Sequence, residues 1–212
     1  MTIEQNTAAW HSLRAGKATA SRIKDVMAKG SGASRATYMT ELICERLSGV
    51  QQEGFESEAM REGKRREPES VAAYEFKRNV ETTQMAFVDH ATIPMCGCSP
   101  DRLVGADGLL ELKNPQPKQH LAWLLAGKVP PEYEKQMVFQ MACTGRRWCD
   151  FASYSPAFPE PMQLFIVRLD RDPARIVEIE REVRAFLAEL DAKMDEIAKR
   201  FPAVMPLAAA AE

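Results

Sequence analysis

Cys98-Ser99-Pro100-Asp101-Arg102-Leu103-Val104, then Gly105-Ala106-Asp107-Gly108, then Leu109-Leu110-Glu111-Leu112-Lys113, is the stretch on which the fold turns. Two apolar runs flank a glycine-bearing tetrapeptide, the pattern of a β-hairpin. Glu111 and Lys113 stand two apart, so on a strand they share a face. The hairpin brings Asp101 back beside them, and register decides the rest. A two-residue turn at Asp107-Gly108 pairs position 101 with 114 and puts Asp101 on the opposite face. A three-residue loop, Ala106 to Gly108, pairs 101 with 113 and gathers all three side chains on one face. A working site therefore requires an odd loop or a bulge. Pro115 and Pro117 stop the second strand.

Two carboxylates on one face repel each other and call for a hard cation. Mg²⁺ takes oxygen ligands in octahedral geometry and keeps several waters. So placed, it activates a water and neutralises charge on a phosphodiester. A lysine beside it orients the attacking water or stabilises the pentavalent phosphorane. No histidine is needed.

Outward from this core, the chain opens with a loop from Trp10 to Ser21, and Ser21 can cap a short helix reaching Ala28. Gly30 to Gly32 make a turn. Ser34 can cap a helix in which Tyr38, Leu42 and Leu47 recur at helical spacing before Gly49. Residues 51–57 read as a polar loop. A further helix covers Ser57 to Arg78, with Ala59, Met60, Gly63, Val71, Tyr74 and Phe76 in its pattern, and Pro68 marks a kink or boundary. Thr82–Asp89 and Ile93–Cys98 read as strands. After the hairpin come helices around His120–Ala126 and Glu132–Gly145, then strands at Asp150–Tyr154 and Gln163–Leu169. Asp172-Pro173 opens a long helix with an apolar stripe at Ile176, Ile179, Val183, Phe186, Leu187, Leu190, Met194 and Ile197. Phe201-Pro202 ends it, and the alanine-rich tail, 203–212, frays. The order predicts an α/β sandwich.

The chain has 212 residues, which fits one domain spanning 1–212. Hydrophobic residues are 45% and charged residues 27%, which excludes a largely disordered chain. The 28 basic and 30 acidic residues leave a net charge of −2, so any hold on nucleic acid must come from local patches. No signal-peptide core or membrane-length apolar run is present, which predicts a soluble, cytoplasmic protein with no membrane partner. Five irregularly spaced cysteines fit reduced thiols better than a disulfide framework.

Pro100-Asp101 with Glu111-Leu112-Lys113 resembles the core of the PD-(D/E)xK nucleases. Trp10-His11-Ser12-Leu13-Arg14 with Thr19-Ala20-Ser21, Gly63-Lys64 with Glu67, Ser99-Pro100-Asp101, and Tyr133 with Gln136 and Gln140 follow in order. Together they resemble the phage lambda exonuclease and viral recombinase family, from about residue 10 to 170. The resemblance implies a restriction-endonuclease-like α/β core, a mixed central sheet flanked by helices. It implies a bacterial or phage-encoded, metal-dependent 5′-to-3′ exonuclease. Such an enzyme digests one strand of duplex DNA from 5′-phosphorylated ends and leaves a 3′ overhang for recombination. It also implies a homotrimeric ring and a single-strand annealing protein as partner. Carried over by motif, Asp101, Glu111 and the Leu112 carbonyl hold Mg²⁺, two per site, with Mn²⁺ able to substitute. Lys113 is the catalytic lysine, Gln136 assists, and Glu67 is an extra acidic residue near the metals. Arg14, Ser21 and Ser99 form a pocket for the terminal phosphate. The chain departs from the lambda enzyme at Glu58, where that enzyme has a lysine. A cation from elsewhere, Lys17 or Arg61, takes its place, or selectivity for the phosphate is weaker.

Other features have plainer readings. Arg61, Lys64, Arg65 and Arg66, interleaved with Glu62 and Glu67, are a solvated charged face or a contact to DNA phosphates. His120 reads as a polar loop histidine or as a group at the mouth of the metal site. Cys96 and Cys98 share a strand face as core thiols. Trp10, Trp123 and Trp148 pack, with Trp10 also a possible wedge at a DNA end. Tyr133, Met137 and Met141 form a core stripe. A non-catalytic DNA clamp or annealing-protein scaffold, or an endonuclease of the same superfamily, are the alternatives. An iron–sulfur cluster would need four suitably placed cysteines, a pattern the five here do not make.

Overall fold

The structure is a computed structural model describing residues 3–28, 33–51 and 57–202; the Gly30–Gly32 turn, most of the 51–57 loop and the 203–212 tail lie outside the described residues. Helix α1 (Ala8–Arg14) starts at Thr7, whose hydroxyl accepts from the Trp10 amide. Strand β1 (Ala18–Thr19) leads through a 3-10 turn (Ala20–Arg22) into α2 (Ile23–Val26). Ser21 lies inside that turn rather than capping the helix. Helix α3 (Ala33–Ser48) buries Tyr38 and Leu42, but Leu47 is exposed.

Helix α4 (Glu58–Arg78) runs unbroken through Pro68. The expected boundary is absent because both halves are held. Asn114 donates to the Gly63 carbonyl, while Val71 and Tyr74 are buried against the sheet. The buried Ser70 hydroxyl donates to the Arg66 and Glu67 carbonyls, tying the helix across the proline. Phe76, expected on the packed face, is 90% exposed.

The expected strand over 82–89 is two. β2 (Thr82–Thr83) and β3 (Val88–Asp89) pair with different sheets, so the chain crosses between them. β4 (Cys96–Cys98) lies between β1 and β3, and both its cysteines are fully buried. Next come β5 (Arg102–Val104), β6 (Gly108–Lys113), α5 (Pro117–Ala126), α6 (Pro131–Thr144), β7 (Trp148–Tyr154), a short α7 (Glu160–Gln163), β8 (Leu164–Asp170) and α8 (Pro173–Arg200). Pro117, Pro131 and Pro173 each sit in a first helical turn, and Gly127 and Gly145 close α5 and α6 at positive φ.

The main sheet is mixed, in the order β2-β5-β6-β7-β8, with β6 and β7 parallel and the other neighbours antiparallel. Alternation along its strands makes two cores. Leu109, Cys149 and Phe151 belong to the larger, which α6 and the stripe of α8 cover. Leu110, Leu112 and Ala152 face Val71 and Tyr74 of α4. Glu111 and Lys113 are on the α6 side. The α8 stripe is buried from Ile176 to Met194, and Asp172 caps it by accepting from the amides of Ala174 and Arg175. Among the described residues no helix is long and apolar enough to cross a membrane.

Candidate active site

The hairpin has an odd loop, but not the one expected. Val104 pairs with Gly108, so the loop is Gly105 to Asp107, and the register runs two residues from that of an Ala106–Gly108 loop. Gly105 supplies the turn at φ +52°. Arg146 donates to the carbonyls of Gly105 and Gly108, both at 2.8 Å, and pins the loop. Continued by one residue, this register sets Asp101 opposite Glu111 rather than Lys113. Parity is preserved, so the three side chains still converge.

Lys113 Nζ lies 2.5 Å from Glu111 Oε1 and 3.7 Å from Asp101 Oδ2. Asp101 Oδ2 also accepts from the Leu112 amide at 2.7 Å, which locks its rotamer onto β6. Glu111 is fully buried. Its Oε1 accepts from Gln136 Nε2 and its Oε2 from Gln140 Nε2, both at 2.7 Å. Gln136 was expected here. Gln140 was part of the motif without a role, yet its place one turn further along α6 puts it on the same face.

Burial, and then the Glu111 charge, push the Asp101 carboxyl up to about 7, against the pull of Lys113. Burial alone would lower the Lys113 pKa, but Glu111 and Asp101 outweigh it and raise it. With Asp101 deprotonated, the cluster carries two carboxylates and one ammonium and is one positive charge short of neutral. A hydrated divalent cation fits that donor set. Among the described residues no three His, Cys, Asp or Glu side chains converge closely enough to hold a metal. Glu67 is across the cavity, 3.8 Å from Arg102. Any cation would keep waters in its remaining positions, as Mg²⁺ does.

These groups open into a cavity of about 490 Å³ lined by Asn6, Lys64, Glu67, Asp101, Lys113 and Tyr133, among others. A second cavity, about 900 Å³, has Arg14, Lys17 and Ser21 in its wall. Asn6 and Lys64 line both, so the two adjoin. Lys64 belongs to the charged stretch read as a solvated face or a contact to DNA phosphates, and Asn6 to no motif. Asn6 has φ +65° and follows Gln5, whose amide donates to the carbonyls of Met85 and Pro100. No sequence pattern signals that strap.

In the second cavity Arg14 lies over the Trp10 ring at 4.1 Å and donates to Ser99 Oγ at 3.1 Å. Trp10 Nε1 donates to the same hydroxyl at 3.0 Å and to the Ala86 carbonyl. Trp10 is thus a packed platform for Arg14, not a projecting wedge. Ser99 thus accepts twice, behind Arg14 and Trp10, and itself lines neither cavity. Arg14 Nε is buried without a partner, and burial pulls the guanidinium pKa down. That is an anion-ready arginine. Lys17 is tied to Asp89 at 2.6 Å and stands over the Phe87 ring, and the Ser21 hydroxyl meets Thr19 Oγ1 at 3.3 Å. Arg61 is exposed on α4 and lines neither cavity. Arg65 and Arg66 both pair with Glu62, as a solvated helix face does. His120 is neither in a loop nor at the site: it is fully buried in α5, bonded to Ser153 and to the Met162 carbonyl.

Comparison with known proteins places these features among relatives. The profile of the YqaJ-like viral recombinase domain matches residues 9–147. Among solved structures the chain is similar to an alkaline exonuclease, LHK-Exo, from Laribacter hongkongensis. The two share 47% identity over 94% of this chain and 100% of that one, with a TM-score of 0.88. The same values hold for that exonuclease in complex with dAMP. A phage-related exonuclease from Haemophilus somnus 129PT shares the fold at 14% identity and a TM-score of 0.67, over 88% of this chain and 99% of that one. No curated protein sequence matches.

Proposed function

The chain belongs to the YqaJ-like viral recombinase family, exonucleases of the lambda type with a PD-(D/E)xK fold, and from that premise we propose that it is a metal-dependent 5′-to-3′ exonuclease. It digests one strand of duplex DNA from a 5′-phosphorylated end and leaves a 3′ overhang for phage-type recombination with a single-strand annealing protein. The observation that carries this reading is the pair of adjoining cavities, an arginine pocket beside a carboxylate–lysine cluster.

Arg14 and Ser21 receive the terminal phosphate, with Ser99 behind Arg14. A guanidinium meets two phosphate oxygens in a fork, and a serine hydroxyl donates to the remainder. Lys64 and Asn6, at the junction, face the backbone between that phosphate and the next. Lys64 stands on the helix that carries Glu58 and takes the part of the second cation. Asp101, Glu111 and the Leu112 carbonyl would hold Mg²⁺, for which Mn²⁺ would substitute, with Glu67 of the same cavity as the further acidic group for a second ion. The bound metal supplies an activated water and neutralises charge on the scissile phosphate. Lys113 donates to the oxygens on which negative charge grows, and Gln136 holds Glu111 in place while it does so.

Two substrates test this. Linear duplex with 5′ phosphates should lose mononucleotides faster than the same duplex with 5′ hydroxyls, and closed circular duplex should persist. Nicking of the circle, or equal rates on both ends, would overturn the exonuclease assignment or its phosphate pocket respectively.

A further inference from the structure

Glu111 is held by more than its neighbours on β6 and the expected Gln136. Its Oε2 has one partner, Gln140 Nε2, at 2.7 Å. Gln140 is fully buried, and so is Glu111. A carboxamide can turn either end toward its neighbour, and an oxygen facing Glu111 would set two acceptors against each other. On β7 the Cys149 thiol stands behind Gln140 Oε1 at 3.9 Å, a weak donor whose single proton the Asp150 carbonyl, also at 3.9 Å, can take instead; turned to Gln140, it favours the amide orientation that points Nε2 at Glu111. The Gln140 backbone is fixed as well, its carbonyl accepting from the Thr144 hydroxyl at 2.8 Å.

We propose that Gln140 is a positioning residue for the reaction, aimed by Cys149 through the chain Cys149 Sγ–H to Gln140 Oε1 and Gln140 Nε2–H to Glu111 Oε2. With Oε2 turned into the core, Oε1, which Lys113 shares, is the oxygen left at the reacting end. The inference rests on the metal reading above. It adds that the cation's affinity depends on a glutamine and a cysteine that touch neither metal nor DNA. Partners of this kind behind a ligand are typically worth 10- to 100-fold in metal affinity.

Mn²⁺ binding to the purified protein, read by calorimetry and by electron paramagnetic resonance, tests it without turnover. Gln140→Met should weaken Mn²⁺ binding about tenfold or more and lower kcat, with KM for DNA ends little changed. Cys149→Ala removes the donor and should lose part of the affinity, and Cys149→Ser, a stronger donor on a shorter bond, should lose less than Ala does. Wild-type Mn²⁺ affinity in a folded Gln140→Met protein, even one with a lower melting temperature, would overturn the proposal and leave the glutamine a packing residue. If Gln140→Met does not fold, the Cys149 pair decides: equal affinities for Ser and Ala overturn it. A wild-type protein that binds no Mn²⁺ would sink the metal reading, and this inference with it.

Discussion

Lys113, at the end of β6, lies within ion-pair reach of Glu111 on the same strand and of Asp101 just before β5, and with Asp101 deprotonated their charges do not balance. Glu111→Ala should abolish hydrolysis while leaving binding to duplex ends largely intact, checked by gel shift beside a nuclease assay. Lys113→Ala removes charge stabilisation that grows in the transition state and should lower kcat by roughly 10²- to 10³-fold. Arg14→Ala should slow digestion of 5′-phosphorylated duplex about ten- to hundred-fold, from charge-assisted bonds of about 1.5–3 kcal/mol, and 5′-hydroxyl duplex far less. Equal slowing of both would show that Arg14 does not read the phosphate. The Asp101 shift has a signature of its own. Its folded pKa is raised to about 7, above the ordinary carboxylate value near 4. Between those limits the native state keeps a proton that the unfolded chain has lost, so stability from this group falls as pH rises. Metal-free protein should therefore lose melting temperature between pH 5 and pH 8 more steeply than Asp101→Asn does. Mn²⁺, which takes the deprotonated form, should raise it more at pH 8 than at pH 5.

The hairpin shows which elements were legible in the sequence. Side-chain parity along a strand is a matter of spacing, so the need for an odd loop could be read from Asp101, Glu111 and Lys113 alone. Which three residues form the loop could not, because Arg146, 38 residues from Gly108, helps to choose it. The long α8 was legible from end to end, since its stripe repeats and Asp172-Pro173 marks its start. At Pro68, read as a kink or boundary, there is no boundary: the local cost of a proline inside a helix is offset by packing at Gly63 and Tyr74 that spacing does not reveal. The site followed the same rule. Residues adjacent in sequence were found, Gln140 lacked a role until its partner was visible, and Asn6 reached the cavity on a segment without periodicity. One prediction belongs at this scale. Gly108 pairs with Trp148, whose ring lies where a Cβ on Gly108 would stand. Gly108→Ala should displace that indole and cost about 1–3 kcal/mol, seen as a lower urea midpoint with activity reduced alongside.

At the scale of the whole molecule, a net charge of −2 provides no general attraction to DNA. On the proposed reading Arg14 and Lys64 would engage an end, and repeated turnover on one strand would need another hold. A closed homotrimer around the duplex, the assembly we propose, would supply it by topology. Light scattering should give about three times the 23.8 kDa chain mass, and a monomer at working concentration would remove the ring. The central claim, that the carboxylate–lysine cluster hydrolyses DNA stepwise from a 5′ end with a metal, is tested most directly on one substrate. A blunt duplex with 5′ phosphates and different labels on its 5′ and 3′ ends is digested in Mg²⁺ by wild type and by Glu111→Gln. The account predicts early release of the 5′ label as a mononucleotide, a 3′ label retained on a long strand, no reaction in EDTA and none with Glu111→Gln. Early loss of the 3′ label, internal fragments, or undiminished cleavage by Glu111→Gln would contradict it.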